Sequence, residues 1–147
     1  MSTERSRLAA VMPLRYTLML FLFGLLVSGC QNAREVEAES LMHHSWQLEQ
    51  IDQQAIHSQR PMLLAIGERL AIKGHTGCNQ FFGQGTLNQA RLQINGLGTT
   101  KQLCPPEHRW IENAILSTLR ESSKLQLTQD HLVIKGSKHT LVYQLAK

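Results

Sequence analysis

From Ser45 to Leu145 this chain reads as short strand-like runs cut by turn residues, several with apolar residues at every second position, and one stretch breaks from them. Alternation puts every second side chain on one face, the arrangement of a half-buried strand. Trp46 and Leu48 alternate with polar neighbours until Asp52-Gln53-Gln54 turns the chain. Pro61 to Ile66 is a second apolar run, Gly67-Glu68 a tight turn, and Arg69 to Gly74 alternates again. Phe81 to Leu87 is short and broken by Gly83 and Gly85, as expected where a strand bends or bulges. Arg91 to Ile94 alternates, and Asn95-Gly96 is expected to turn. After the single interruption come Leu125 to Leu127, His131 to Ile134 and Thr140 to Leu145, with short polar turns between.

The interruption is helical. Pro105-Pro106 can open a helix, because proline is tolerated in a first turn. Trp110, Ile111, Ala114, Ile115 and Leu119 then fall on one stripe, and Ser122-Ser123 ends it. Many short strands around one amphipathic helix predict a mainly β fold with one helix (α+β). Its form is a curled antiparallel sheet or partly open β-barrel closed by the helix. Leu70-Ala71-Ile72-Lys73-Gly74 is echoed by Leu132-Val133-Ile134-Lys135-Gly136, either as the same strand-and-turn chemistry or as a trace of duplication.

The first 30 residues are of another kind. An uncharged run of 12 residues, Tyr16 to Val27, follows Arg15 and ends at Ser28-Gly29-Cys30. As a helix it would reach only about 18 Å, against a hydrocarbon core of roughly 30 Å that needs about 20 residues. It therefore fits the apolar stretch of an export signal rather than a spanning helix. Val27-Ser28-Gly29-Cys30 resembles a lipobox, which makes residues 1–29 a lipoprotein signal peptide and Cys30 the lipidated N-terminus. Residues 30–42 are expected to be a polar tether and residues 43–147 the folded domain. Gln31 follows the cysteine, and the resemblance to lipoproteins that leave the inner membrane implies an outer-membrane anchor facing the periplasm.

Discounting the leader changes the charge. Of 15 Lys+Arg and 11 Asp+Glu, Arg5, Arg7, Arg15 and Glu4 lie in it, leaving 12 basic against 10 acidic residues. No Lys/Arg cluster remains, so nucleic acid is not an expected partner. The remaining 117 residues suit one domain with one core, and a monomer is expected. Apart from Cys30 two cysteines are left, Cys78 and Cys104, a candidate disulfide in an oxidising compartment.

Two stretches carry motifs: Gly77-Cys78-Asn79-Gln80-Phe81-Phe82-Gly83 and Gly98-Thr99-Thr100-Lys101-Gln102-Leu103-Cys104. Glycines and Asn79 suggest backbone in conformations most residues avoid, with Phe82 pinned into the core. A Gly-Cys-Asn-x-Phe-x-Gly motif followed by Thr-x-x-x-Cys and a helix resembles the META domain, and within it the heat-inducible HslJ-like lipoprotein group. The likeness covers roughly residues 43–146. It implies a small envelope domain linked to heat stress and novobiocin tolerance. The resemblance is taken to mark Gly77, Cys78, Asn79, Phe82, Gly83, Thr100 and Cys104 as fold determinants rather than catalytic groups. No cofactor is implied. A binding module, acting as inhibitor or holdase on another envelope protein, is the alternative, and a hydrolase the more distant one.

The same residues admit other chemistry. His75, Cys78, Cys104 and His108 together offer two thiolates and two imidazoles, the ligand set of a structural zinc site. The half-sites fall in different kinds of element, however, and an exported compartment favours thiol oxidation, so no metal is expected. Thr99, Thr100, Lys101, His108 and Glu112 are close in sequence, yet no spacing marks an activated nucleophile, and no enzyme is expected. Gly83-x-Gly85 lacks the helix and lysine of a phosphate cradle. His43-His44 is expected in solvent, and Trp46 and Trp110 are expected as core residues.

Overall fold

The structure, a computed structural model, describes residues 36–147. The proposed leader and Cys30 lie outside them. Eight antiparallel strands close on themselves: β1 (His44–Ile51), β3 (Leu63–Ile66), β4 (Ala71–His75), β5 (Gln80–Asn88), β6 (Arg91–Thr99), β7 (Ser123–Leu127), β8 (His131–Lys135) and β9 (Thr140–Leu145). Each pairs with the next in that order, and β9 pairs back onto β1 from Trp46↔Leu145 to Ile51↔Leu141. The fold is therefore mainly β with one helix, as expected. Its barrel is closed rather than partly open, because β1 pairs with β3 along one edge and with β9 along the other. A two-residue strand, β2 (Gln54–Ala55), folds back on the end of β1.

The period-two pattern fills the interior. Trp46 and Leu48 point inward on β1, Leu64 and Ile66 on β3, Leu132 and Ile134 on β8, Leu141 and Tyr143 on β9, and all are buried. On β1 the next inward residue is Ile51, an odd step after Leu48. A bulge between Leu48 and Gln50 shifts the register there and restores the inward parity. Burial pushes the Tyr143 phenol well above its ordinary pKa, which keeps it neutral inside the core.

Close approach explains the glycines on β4 and β5. A β-carbon at Gly74 would collide with the Phe81 ring and the Leu63 carbonyl, so the neighbouring strand can lay its aromatic across bare backbone. Phe81, which holds the phenylalanine place of Gly-Cys-Asn-x-Phe-x-Gly, is the core residue and the fold determinant rather than Phe82: it is 2% exposed and Phe82 54%. Adjacent strand residues face opposite sides, and Phe82 lies outward across its partner Gly98. The expected turn at Asn95-Gly96 is also absent. Gly96 takes a φ of 62° inside β6, where the register against β5 shifts between Phe82 and Gln84. The Asn-Gly pair thus makes a bulge within a continuous strand. The hairpin turn instead falls at Gln89-Ala90, with φ of 47° and 57°.

The two echoed segments are both strands, β4 and β8, but their glycines differ in role. Gly74 lies within its strand, whereas Gly136 follows β8 and donates its N–H to the His139 carbonyl in a turn. The expected tether also ends earlier than residue 42. Ala38–Leu41 forms one helical turn, α1, and Leu41 is fully buried. One apolar side chain among acidic neighbours carries no period, which is why the sequence leaves it unassigned.

The long helix, α2 (Pro106–Arg120), starts at the proline pair. Ile111, Ala114, Ile115, Thr118 and Leu119 form its buried face. It lies against β6 and β9, which are three places apart around the barrel, so it covers an open end rather than an outer wall. Trp110 departs from the expected core role. It is 46% exposed because it stands one residue, about 100°, ahead of Ile111, at the rim of the buried face.

Candidate functional site

The turn between β4 and β5 and the segment between β6 and α2 meet at the first half of the helix, and there the motif residues gather. Gly77 takes a φ of 88°, a conformation that favours glycine. Its N–H donates to His75 Nδ1 at 2.9 Å, so that imidazole is occupied by the turn itself. Cys78 and Cys104 are joined in a disulfide that ties this turn to the residues entering α2.

Asn79 sits at the centre, 2% exposed. Its Oδ1 accepts from the Thr100 hydroxyl and from the Gln102 N–H, each at 2.8 Å. Its Nδ2 has two hydrogens to give. It faces the Glu112 carboxylate at 3.1 and 3.2 Å, Cys104 Sγ at 3.1 Å and the Gln102 carbonyl at 3.4 Å. The Asn79 backbone closes a small ring with Thr76: its N–H donates to Thr76 Oγ1 at 3.0 Å, and its carbonyl accepts the Thr76 N–H at 2.8 Å. The Thr76 hydroxyl, fully buried, lies 2.7 Å from Glu112 Oε2 and can donate to it. One asparagine thus binds three separate segments at the end of the barrel that α2 covers.

Thr100 is used at both ends of its hydroxyl, because it also accepts the Gln80 N–H at 3.0 Å. Thr99 donates its hydroxyl to the Gln80 carbonyl. Lys101 is exposed. Gly83 lies at the β5 bulge against Ile94 and the Asn95 carbonyl, away from the asparagine. His43 and His44 are exposed, and Trp46 is buried in the barrel. The four-ligand set weighed from the sequence does not assemble in this state, since both sulfurs are in the bridge and His75 binds the Gly77 N–H.

The sequence alone does not tie two members of the network to the motif. Thr76 lies two residues before Cys78, and nothing in a single threonine distinguishes it from a surface turn residue. Glu112 had a usable signal. It sits between Ile111 and Ile115 on the inner side of the helix, a place where a carboxylate needs donors.

Beside the network lies a cleft of about 760 Å³, lined by α2, by residues Ile56 to Arg60 and by Gly77 and Cys78. Leu103, fully exposed, and Trp110 form its apolar rim. His108 also lines it, with its Nδ1 buried and lacking a hydrogen-bond partner, close to Gly77. Among the described residues no helix is long and apolar enough to cross a membrane.

With this geometry in hand, similarity to known proteins is specific. Over 127 residues the chain is 32% identical to the heat shock protein HslJ of Escherichia coli strain K12, covering 84% of this chain and 90% of that protein. A structure solved by NMR shares 33% identity and superposes with a TM-score of 0.68, covering 75% of this chain and 95% of the other. A second NMR structure, from Burkholderia xenovorans, has 22% identity and a TM-score of 0.62 over 75% of this chain and 86% of its own, and so shares the fold. Residues 39–147 match the model of the META domain, the same span that the barrel, the helix and the Asn79 network occupy. By sequence, by fold and by extent, the chain belongs to the META domain family.

Proposed function

We propose that this protein is a lipid-anchored, non-catalytic envelope protein of the HslJ-like type that contributes to survival of heat stress and to novobiocin tolerance. The relationship to a protein named for heat shock carries the stress reading. The leader, with its short apolar run before Val27-Ser28-Gly29-Cys30, supports export, lipidation of Cys30 and attachment to the outer membrane on its periplasmic side. A lipid chain contributes about 0.8 kcal/mol for each buried CH₂, so several acyl chains hold a protein of this size at the membrane.

The Asn79 network supports a structural rather than a reactive role. A nucleophile needs a hydroxyl or thiol free to be deprotonated by a neighbouring base. Here the Thr76 hydroxyl does meet a carboxylate, Glu112, but it is fully buried and out of a substrate's reach, the Thr100 hydroxyl donates to Asn79, and both sulfurs are in a disulfide. The protein therefore acts by what its rigid surface holds or shields.

Deletion of the gene, with complementation by wild type and by Cys30→Ala, tests the proposal. Expected outcomes are lower survival at high temperature and a lower inhibitory concentration of novobiocin in the deletion strain, restored by wild type alone. Palmitate labelling and membrane fractionation are expected for wild type and lost in Cys30→Ala. Unchanged tolerance in the deletion strain would overturn the stress role. Equal labelling and fractionation of both forms would overturn the anchor.

A further inference from the structure

We infer that Cys78, Cys104 and Glu112 form a binding site for a borderline-soft divalent cation such as Zn²⁺ when the disulfide is reduced, so that one cluster alternates between a bridge and a metal site. The inference stands apart from the anchor and the stress role. It starts from position: the two sulfurs and a Glu112 carboxylate oxygen all lie within 4.8 Å of one another. Tetrahedral zinc holds thiolates at about 2.3 Å and carboxylate oxygens at about 2.1 Å, which places its ligand atoms roughly 3.5 Å apart. Side-chain rotation of an ångström or so converts one arrangement into the other, with the two α-carbons already 5.8 Å apart.

The surroundings are those of a ligand shell. Thr76 Oγ1 and Asn79 Nδ2 hold the carboxylate beside the sulfurs, with Glu112 Oε2 3.7 Å from Cys104 Sγ. Asn79 Nδ2 also faces Cys104 Sγ, where it can donate to a thiolate. Two thiolates and a carboxylate at this distance repel one another, and a divalent cation removes that repulsion. A second observation points the same way. His108 stands one turn before Glu112 on α2, and its Nδ1 is buried without a partner beside Gly77, the neighbour of Cys78. It stands outside the 4.8 Å group, so a side-chain rotation is needed to bring it in as a fourth ligand, and it lines the cleft together with Cys78, which gives an ion a path in.

The chemistry balances with a dithiol as reductant. Two electrons and two protons pass from it to the Cys78–Cys104 bridge, giving two thiols here and a disulfide on the reductant. Metal binding then releases both thiol protons to solvent.

Co²⁺ serves as the probe, titrated without oxygen into the full-length protein in detergent after reduction by a phosphine and its removal. Expected are thiolate-to-cobalt charge-transfer and intense tetrahedral bands that saturate at one equivalent, are displaced by Zn²⁺, and are missing from the oxidised protein. The Cys78→Ser/Cys104→Ser variant keeps Cys30 and is expected to show none of this signal. Glu112→Gln, with a far-ultraviolet spectrum like that of wild type, is expected to weaken binding at least tenfold, by analogy with the about 10–100-fold losses seen around metal sites. Zn²⁺ is also expected to slow re-formation of the disulfide in wild type, a readout that needs no variant. No charge-transfer band in the reduced protein, the same band in the double variant, or unchanged affinity in Glu112→Gln would each overturn the site.

Discussion

Asn79 ties the turn before β5, the segment after β6 and α2 together through one side chain. Its amide serves Thr100, Gln102, Glu112 and Cys104, so truncation weakens several part-buried contacts at once. Each unsatisfied group costs about 1–3 kcal/mol, and Asn79→Ala is expected to lower unfolding free energy by about 3 kcal/mol, measured by denaturant titration. A loss below about 0.5 kcal/mol would remove Asn79 from the fold determinants. Asn79→Asp is expected to be no milder, since it trades two donors for a second carboxylate facing Glu112. Asp52 offers a contrast on the surface. Its carboxylate is held below the ordinary value of 3.8, first by the hydrogen bond with His139 at 2.6 Å and then by the Thr140 N–H. A depressed folded-state pKa gives stability that is fully present above 3.8 and is lost as pH falls through the lower folded value. Asp52→Asn keeps the backbone at its φ of 50°, which asparagine tolerates. Because the pair is open to solvent, the variant is expected to lose less than about 1 kcal/mol near neutral pH. That gap is expected to close in acid, as followed by thermal melts across pH.

Elements were legible in the sequence where periodicity alone decides them, and obscure where a contact decides them. Period two marked the strands from Trp46 to Leu145, and the stripe from Ile111 to Leu119 marked α2, because burial of one face imposes both patterns. Parity within β5 was not legible. Phe81 and Phe82 are adjacent aromatics, and only the contact between Phe81 and Gly74 on the neighbouring strand selects the one that turns inward. Asn95-Gly96 misled for a related reason: the same positive φ serves a turn or a bulge, and pairing with β5 makes it a bulge. In the site, the motif residues and the cysteine pair could be marked from sequence, whereas Thr76 and Glu112 join only through the approach of α2. The disulfide crosses this junction between elements. Closing a loop of 26 residues contributes about 3 kcal/mol by restricting the unfolded chain. Cys78→Ser/Cys104→Ser is expected to lose about that much in denaturant titration while keeping its far-ultraviolet spectrum. Hydrogen exchange is expected to rise first at Gln80 and across the first turn of α2.

At the scale of the whole molecule, closure of the barrel is the feature that makes all these parts depend on one another. The seam is β1 with β9, strands near opposite ends of the described chain, joined over Trp46 to Ile51. An open sheet of the same strands would leave two hydrogen-bonding edges exposed, and edges of this kind pair with other chains. It would also uncover Trp46, Leu48 and Ile51, which Leu141 and Tyr143 help to enclose. Truncation after Lys138 removes β9 and its two fully buried core side chains. Each such side chain contributes about 2–5 kcal/mol, against a total stability for a domain of this size of about 5–15 kcal/mol. The truncated protein is therefore expected to lose the whole native structure rather than one strand. Near-ultraviolet dichroism from Trp46 is expected to vanish, a hydrophobic dye to bind, and gel filtration to show association. In wild type, fluorescence, dichroism and calorimetry are expected to give one coincident transition. A truncated chain that stayed monomeric with its tryptophan signal intact would show that the helix and seven strands form the stable unit, with the seam added afterwards.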